Sequence, residues 1–210
     1  QIADALRGFA HEIIFVDDGS RDATAQNVAA GASIRLIRFR KNAGQSAAMF
    51  AGMNDARGEV IVLIDGDLQN DPADIPAVVA RLGEGFDLVC GYRKNRKDTP
   101  FKRLQSRIAN AVRSRFIGDG VRDTGCSLKA MRRECREALP PFVGMHRFIP
   151  AFVRRAGFRI TEVPVNHRPR LHGASKYNFA NRAWRATKDM FGVSWLLSRR
   201  MSYEIEKKGE

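Results

Sequence analysis

Apolar residues fall in short continuous runs through the first ninety positions, with polar turns between them. Residues 12–16, 34–39, 60–64 and 86–90 each read as a buried strand. Unbroken rather than alternating apolar character marks a strand covered on both faces, as in a parallel sheet. Helical spacing lies between the runs. Residues 23–30 make a short helix, and 44–56 are rich in small side chains that let a helix sit close on a sheet. Over 74–82, Ile75, Val78, Val79 and Leu82 form one apolar stripe, with Asp71 as N-cap and Pro72 in the first turn. Strand and helix alternate, which predicts an α/β sheet. The second half is patterned differently. It holds a basic helix over 101–116 with Leu104, Ile108 and Val112 on one side, strands over 124–131 and 159–167, and helices over 148–155 and 179–200. There is no internal repeat and no low-complexity segment.

Two acidic clusters stand directly after predicted strands: Asp17-Asp18-Gly19-Ser20, and Asp65-Gly66-Asp67. Ligands of open α/β sheets bind beyond the carboxyl ends of the strands, so both clusters are expected on one rim. Asp65 and Asp67 are two apart, which in extended backbone puts their side chains on one side. Gly66 between them leaves room for close approach. Two carboxylates with no His or Cys make a hard oxygen site suited to Mg²⁺ or Mn²⁺ shared with substrate phosphates. Singly, each cluster is also an ordinary turn or helix cap; the conjunction of both at strand ends is what points to chemistry. No Gly-rich loop ending in Gly-Lys-Ser/Thr and no Gly-x-Gly-x-x-Gly fingerprint is present, which counts against ATPase and dehydrogenase readings.

Composition narrows this further. The 210 residues suit one compact α/β domain, and 44% hydrophobic with 28% charged residues is globular. The net charge of +13 suits an anionic partner, whether nucleic acid, an acidic membrane surface or a phosphorylated substrate, without choosing among them. Cys90, Cys126 and Cys135 are odd in number and lack zinc-site spacing, so they are expected as reduced thiols of a cytosolic protein. No run reaches the ~20 apolar residues of a spanning helix; the stretch 190–197 is interrupted by Gly192 and Ser194. The chain opens with a short helical pattern leading straight into a strand, as if cut from something longer.

The motifs Val16-Asp17-Asp18-Gly19-Ser20-Arg21-Asp22, Lys41-Asn42-Ala43-Gly44, Asp65-Gly66-Asp67-Leu68-Gln69, Gly91-Tyr92-Arg93, Asp123-Thr124-Gly125-Cys126-Ser127-Leu128-Lys129 and Arg170-Leu171-His172-Gly173-Ala174-Ser175-Lys176-Tyr177 occur in this order. Together they resemble the family 2 glycosyltransferases, above all the polyprenyl-phosphate (dolichol-phosphate-type) glucosyl- and mannosyltransferases. The resemblance runs over residues 12–177. It implies the GT-A fold, a nucleotide-binding α/β sandwich, over 1–177, and leaves 178–210 as an amphipathic, membrane-surface helix and charged tail. It also implies roles. Asp17 and Asp18 would hold the base and ribose of the donor, with Lys41 and Gly44 part of the base pocket. Asp65, Asp67 and Gln69 would form the metal and diphosphate site, and Arg170 and Lys176 would neutralise the donor diphosphate. Arg93 and Arg107 would hold the acceptor phosphate. Asp123 would lie near the acceptor where a base acts, or else cap a turn before Gly125; His172 has no assigned role. The family's usual first strand, ending in an aromatic-Asn-Glu-Glu loop, has no match before residue 12, so the native start is expected to be missing. Many members carry transmembrane helices after this region, whereas this chain ends in a charged tail.

The activity so implied is inverting transfer of a hexose from a UDP- or GDP-sugar to a polyprenyl phosphate at the cytoplasmic membrane face. A phosphate acceptor is largely dianionic near neutral pH and needs orientation more than a base. A glycan or other hydroxyl acceptor would need one, with Asp123 the candidate. A non-catalytic basic module binding nucleic acid or membrane would explain the charge but not the ordered acidic motifs, and no nucleic acid partner is expected. Trp184, Thr187, Phe191 and Trp195 share one side of the last helix, with Arg182, Arg185, Lys188, Arg199 and Arg200 around it. That side either packs on the domain or lies on an anionic membrane.

Overall fold

The computed structural model describes residues 1–28, 33–94, 113–169 and 179–199, the last without the side chains of 179–186. Arg107, Arg170, His172, Lys176 and Arg200 lie outside the described residues, and so does the side chain of Trp184.

A four-residue helix, α1 (Ile2–Ala5), precedes β1 (Ile13–Asp17). There follow α2 (Thr24–Asn27), β2 (Ile34–Arg38), α3 (Gln45–Asp55), β3 (Val60–Leu63), α4 (Ile75–Ala80) and β4 (Leu88–Arg93). The second half contributes α5 (113–117), β5 (Lys129–Arg132), α6 (Ile149–Arg155), β6 (Ile160–Val165) and α7 (Phe179–Ser198). β1 and β2 pair in parallel as one sheet, and a second sheet has the order β3-β5-β4-β6. Within it β4 and β6 are parallel, while β5 runs antiparallel to both β3 and β4.

Period-two alternation divides the four-stranded sheet between two cores. Ile61, Leu63, Leu88, Cys90 and Met131 point to the face covered by Met53 of α3, Ala151–Val153 of α6, and Val193 and Leu197 of α7. Val89, Ala130, Val163 and Val165 point to the other, covered by Ile75 and Val78 of α4 and by Leu82. Cover on both faces is why these strands read as unbroken apolar runs. Each of Ile75, Val78 and Leu82 is almost wholly buried, worth roughly 1.5–3 kcal/mol apiece relative to exposure. Asp71 caps the turn before α4, its side chain accepting from the Ala73 amide at 3.0 Å, with Pro72 at the first position. The small residues of α3 do what small residues permit: Gly52 lies against Val16 of β1, where even a β-carbon would stand 3.2 Å from its methyl.

The second half departs from the sequence expectation in two ways. β5 reverses direction, which side-chain periodicity does not encode. It also begins only at Lys129, because the polar side chains of 124–128 are engaged sideways: Thr124 accepts from Arg113 at 2.7 Å and Ser127 from Asn70 at 2.7 Å, and the Cys126 amide turns back to the Asp123 carbonyl. In the first half, the helix expected over 23–30 is the single turn of α2, and strand β4 is shifted to Leu88–Arg93. All three cysteines are free and buried, and burial pushes the Cys90 and Cys135 thiols up to about 12. These are unreactive core side chains.

Candidate nucleotide-sugar site

β1 delivers its last residue, Asp17, to the bottom of a loop. The side chain is nearly sealed, with the residue 5% exposed. Its Oδ1 accepts the Ser20 amide at 2.9 Å, and this loop bonding, more than the Arg38 guanidinium 3.2 Å from Oδ2, holds the carboxyl below its ordinary value. Oδ2 is buried without a hydrogen-bond donor. The Arg38 guanidinium compensates its charge without donating an aligned hydrogen bond, which leaves a lone pair open to a ligand's donor. Asp18 points the other way. Its two oxygens take the Ala43 amide at 2.7 Å, the Gly44 amide at 2.9 Å and the Asn42 side chain at 2.8 Å. The loop 42–44 is thus wrapped around this carboxylate, and Lys41 stands exposed beside it. Gly19 makes the approach possible. Its φ is 74°, and a β-carbon there would sit 2.7 Å from the Asn42 nitrogen and the Lys41 carbonyl carbon.

The start of α3 joins this loop to the second acidic motif. Gly44 bonds Asp18, and the next residue, Gln45, donates from Nε2 to Asp65 Oδ1 at 3.0 Å. The two acidic motifs therefore meet across one helical turn. Asp67 Oδ1 accepts the Gln69 amide at 3.1 Å, which closes the Asp67–Gln69 turn. Nothing stands within 4 Å of where a side chain on Gly66 would begin, so the motif is open to approach on that side. Among the described residues no group of three or more His, Cys, Asp or Glu gathers that would hold a metal unaided. Two hard carboxylates with an open side fit a Mg²⁺ or Mn²⁺ that takes its other ligands from water and phosphate; they do not fit a closed structural metal. Deeper in, Ser46 Oγ accepts the Gly144 amide at 2.8 Å and is hydrogen-bonded to His146 Nδ1 at 2.8 Å, tying α3 to the segment before α6.

At the end of β4, Arg93 and Asp123 are bound to each other. Arg93 Nε donates to Oδ2 at 2.7 Å and Nη2 to Oδ1 at 2.8 Å, a bidentate pair about 85% buried on both sides. Arg113 fixes the approach to Asp123 by bonding Asp119, Thr124 and the Val121 carbonyl. The structure thus brings Asp18, Gly44 and Asp65 together around the start of α3, closes Asp67 with Gln69 in the turn that follows, holds Asp17 at the end of β1 beside Asp18, and joins Arg93 to Asp123. Sequence reasoning missed Gln45, Arg38, Arg113 and Asn70. For Gln45 a signal existed, its place in the first turn after Gly44; for the others none did.

The described part of the last helix has an inner and an outer face. Val193 and Leu197 of α7 enter the core, whereas Phe191 (56% exposed) and Trp195 (63%) face outward, Phe191 edge-on to Phe116 with ring centres 5.7 Å apart. Among the described side chains Phe191 thus meets the domain only partly, through Phe116, while Trp195 is mostly exposed. No helix among the described residues is long and apolar enough to cross a membrane.

The acidic motifs stand at the ends of β1 and β3, which belong to two different sheets rather than to one rim, and are joined through the start of α3; such an α/β arrangement suits a nucleotide-sugar transferase. The family follows from comparison: residues 3–139 match the glycosyl transferase family 2 model, and the chain belongs to that family. It is 41% identical over 208 residues to the dodecaprenyl-phosphate galacturonate synthase of Rhizobium johnstonii, covering 94% of this chain and 61% of the relative. It is 38% identical over 176 residues to the undecaprenyl-phosphate 4-deoxy-4-formamido-L-arabinose transferase of Pseudomonas paraeruginosa, covering 81% of this chain and 52% of the relative. The chain therefore spans only half to three fifths of these relatives' length. The glucosyl-3-phosphoglycerate synthase of Mycobacterium tuberculosis, solved with Mn²⁺, UDP-glucose and phosphoglyceric acid, superposes with a TM-score of 0.64 at 19% identity, over 93% of this chain and 73% of that one. That likeness concerns the fold, which is GT-A.

Proposed function

We propose that this chain is the catalytic region of an inverting glycosyltransferase that moves a hexose from a UDP- or GDP-sugar to a polyprenyl phosphate at the cytoplasmic face of a membrane. The observation that carries the reading is the junction at α3, where one helical turn bonds both Asp18 and Asp65. The similarity to enzymes named for polyprenyl phosphates supports the acceptor class. Asp17, with its buried oxygen lacking a donor, would take a hydrogen-bond donor of the nucleotide, and Asp18 would shape the 41–44 wall of the same pocket. Asp65, Asp67 and Gln69 would hold Mg²⁺ or Mn²⁺, which when bound supplies charge against the leaving diphosphate. Arg170 and Lys176 would add to it.

On the acceptor side, the Arg93–Asp123 pair favours a phosphate over a hydroxyl. Both oxygens of Asp123 accept from Arg93, an arrangement that orients a guanidinium rather than one that frees a base. Arg107 would complete the phosphate clamp. The outward Phe191 and Trp195, with Lys188 and Arg199 near them in sequence, would rest on the anionic membrane that presents the lipid. The test is transfer of radiolabelled sugar from a panel of UDP- and GDP-hexoses, UDP-galacturonate included, to short polyprenyl phosphates with Mn²⁺ or Mg²⁺. Metal-dependent transfer to the lipid phosphate is expected. Transfer to hydroxyl acceptors alone would overturn the acceptor assignment.

A further inference from the structure

Leu68 follows directly on Asp67, and among the described residues it is the non-glycine residue with positive φ, 63°. A leucine pays for the left-handed region, because its β-carbon crowds the following carbonyl oxygen. Leu68 is 44% exposed, outside both buried cores. The restraint comes from its neighbours. Gln69 donates its amide to Asp67 Oδ1, and the Gln69 carbonyl accepts the Arg168 amide at 2.8 Å. Asn70, only 6% exposed, forms an isolated antiparallel bridge with His167. Its side chain reaches a third segment, donating to Ser127 Oγ at 2.7 Å and accepting from the Cys126 thiol at 3.7 Å. Asn70 is therefore the meeting point of the Asp65–Gln69 motif, the Asp123–Ser127 loop and the strand end that leads to Arg170.

We propose that Asn70 is a positioning residue: it holds Leu68 in its strained conformation and so fixes the Asp67 carboxylate against the loop that carries Asp123. This rests on reading Asp65 and Asp67 as the metal and diphosphate site. A buried amide with partners on two loops transmits displacement between them, so donor and acceptor sides are set by one side chain. A side chain that merely fills core space would show no interaction with the backbone preference at position 68.

The experiment uses the full chain with Asn70→Ala, Ser127→Ala, Leu68→Gly and the double variant Leu68→Gly/Asn70→Ala. Calorimetry reads Mn²⁺-dependent binding of UDP and GDP, the transfer assay reads acceptor KM, and hydrogen exchange reads the Gln69 and Arg168 amides. Asn70→Ala should weaken metal–nucleotide binding about tenfold, as loss of a buried hydrogen-bonded group does, raise the acceptor KM and speed exchange at both amides. Ser127→Ala should act in the same sense and less, and it carries the test if Asn70→Ala does not fold. Glycine occupies the left-handed region without penalty, so Leu68→Gly should restore most of the affinity and protection in the Asn70→Ala background. A folded Asn70→Ala protein with unchanged affinity and exchange overturns the inference, and so does a double variant that recovers nothing. If the unaltered protein binds the nucleotide equally with and without Mn²⁺, it is the metal reading that fails; exchange at the two amides then decides the role of Asn70 alone.

Discussion

The loops on the donor side and those on the acceptor side hold their carboxylates differently. Around β1, α3 and β3, the acids of the motif loops accept backbone amides, Asp17 from Ser20, Asp18 from Ala43 and Gly44, Asp67 from Gln69 and Asp71 from Ala73, while Glu12 and Asp55 outside those loops pair with Arg35. Where an arginine is also present, as Arg38 at Asp17 or Arg168 at Asp71, the loop's own hydrogen bonds are the stronger influence on the carboxyl. From β4 onward, several acids are held by guanidinium groups, Asp123 by Arg93, Asp119 by Arg113 and Asp189 by Arg147, while Glu162 takes both the backbone amide and the guanidinium of Arg122. An amide satisfies a carboxylate without cancelling its charge; a guanidinium cancels it. The donor side thus keeps a local negative field, which suits a divalent cation and hydroxyl donors. The loops from β4 onward tie most of their named acids to arginines. On the proposed assignment of the two sides, one chain with net charge +13 would present opposite fields to metal and to lipid.

The largest effect is expected where that negative field is removed. Asp67→Asn keeps the acceptor oxygen for the Gln69 amide and deletes only the charge. Transfer should fall by roughly 10²–10³-fold, the scale of losing one group that stabilises developing charge, with thermal stability unchanged. Steady-state kinetics across a Mn²⁺ titration checks this. A folded Asp67→Asn enzyme with full turnover would remove the metal assignment.

On the acceptor side the comparison makes a different forecast, because there the carboxylate and its partner act as a unit. Arg93→Ala leaves Asp123 buried without its partner, and truncating one member of such a pair typically costs about 2–5 kcal/mol. The double variant Arg93→Ala/Asp123→Ala should be less damaged in stability than the two single losses added together. In the transfer assay Arg93→Lys should raise acceptor KM about tenfold, since lysine keeps the charge but not the bidentate geometry, and leave donor affinity alone. Additive losses in the cycle, or a lysine variant altered in donor binding instead, would move Arg93 out of the acceptor side.

The same contrast explains what could be read from the sequence. β3 and β4 announced themselves as covered apolar runs, but β1 and β2, expected as buried strands on the same ground, are only partly buried, with Phe15 and Leu36 exposed; the stripe Ile75–Val78–Leu82 packs on one face of the sheet as its spacing required. The acidic motifs at the ends of β1 and β3 were legible because several of their amide contacts are local: Asp17 with Ser20, Asp67 with Gln69 and Asp71 with Ala73 are two or three residues apart, whereas the amides that hold Asp18 come from Ala43 and Gly44, which no local pattern announces. The acceptor side is built from distant partners. Arg93 and Asp123 are thirty residues apart, Asn70 and Ser127 fifty-seven. No local pattern marks one arginine among 36 basic residues as the partner of one acid, and the antiparallel run of β5 is equally silent in periodicity.

A smaller effect is expected on the outward face of α7. If Phe191 and Trp195 insert at the membrane surface, Trp195→Ala should weaken binding to anionic vesicles about tenfold, as removing one large apolar contact from a lipid interface does. Val193→Ala, on the inner face, should instead lower the melting temperature and leave vesicle binding in place. Sedimentation with phosphatidylglycerol vesicles separates the two. Equal partition of the Trp195→Ala and unaltered proteins would mean this face meets something other than lipid.

The smallest effect is the acid sensitivity that amide-held carboxylates confer. Glu12, Asp17, Asp22 and Asp71 all titrate below their ordinary values of 4.5 for Glu and 3.8 for Asp, chiefly through hydrogen bonds from nearby backbone and hydroxyl groups. A carboxyl depressed in the folded state binds fewer protons there than in the unfolded chain. Its contribution is therefore complete above the unfolded value and is lost as pH falls through the folded one. Melting temperature should hold steady down to about pH 5 and decline from there to about pH 3, the window these four groups set. Asp17→Asn should shift the optimum little but flatten this limb, because an amide at position 17 has no charge to lose. Ionic strength sharpens the comparison further: hydrogen bonds from amides are short-range and resist added salt, whereas exposed ion pairs such as Arg7–Asp4 are screened. The acid limb should therefore survive 0.5 M NaCl. An acid limb that vanished in salt, or that Asp17→Asn left as steep as before, would mean that long-range charge rather than the donor-side loops governs stability below neutral pH.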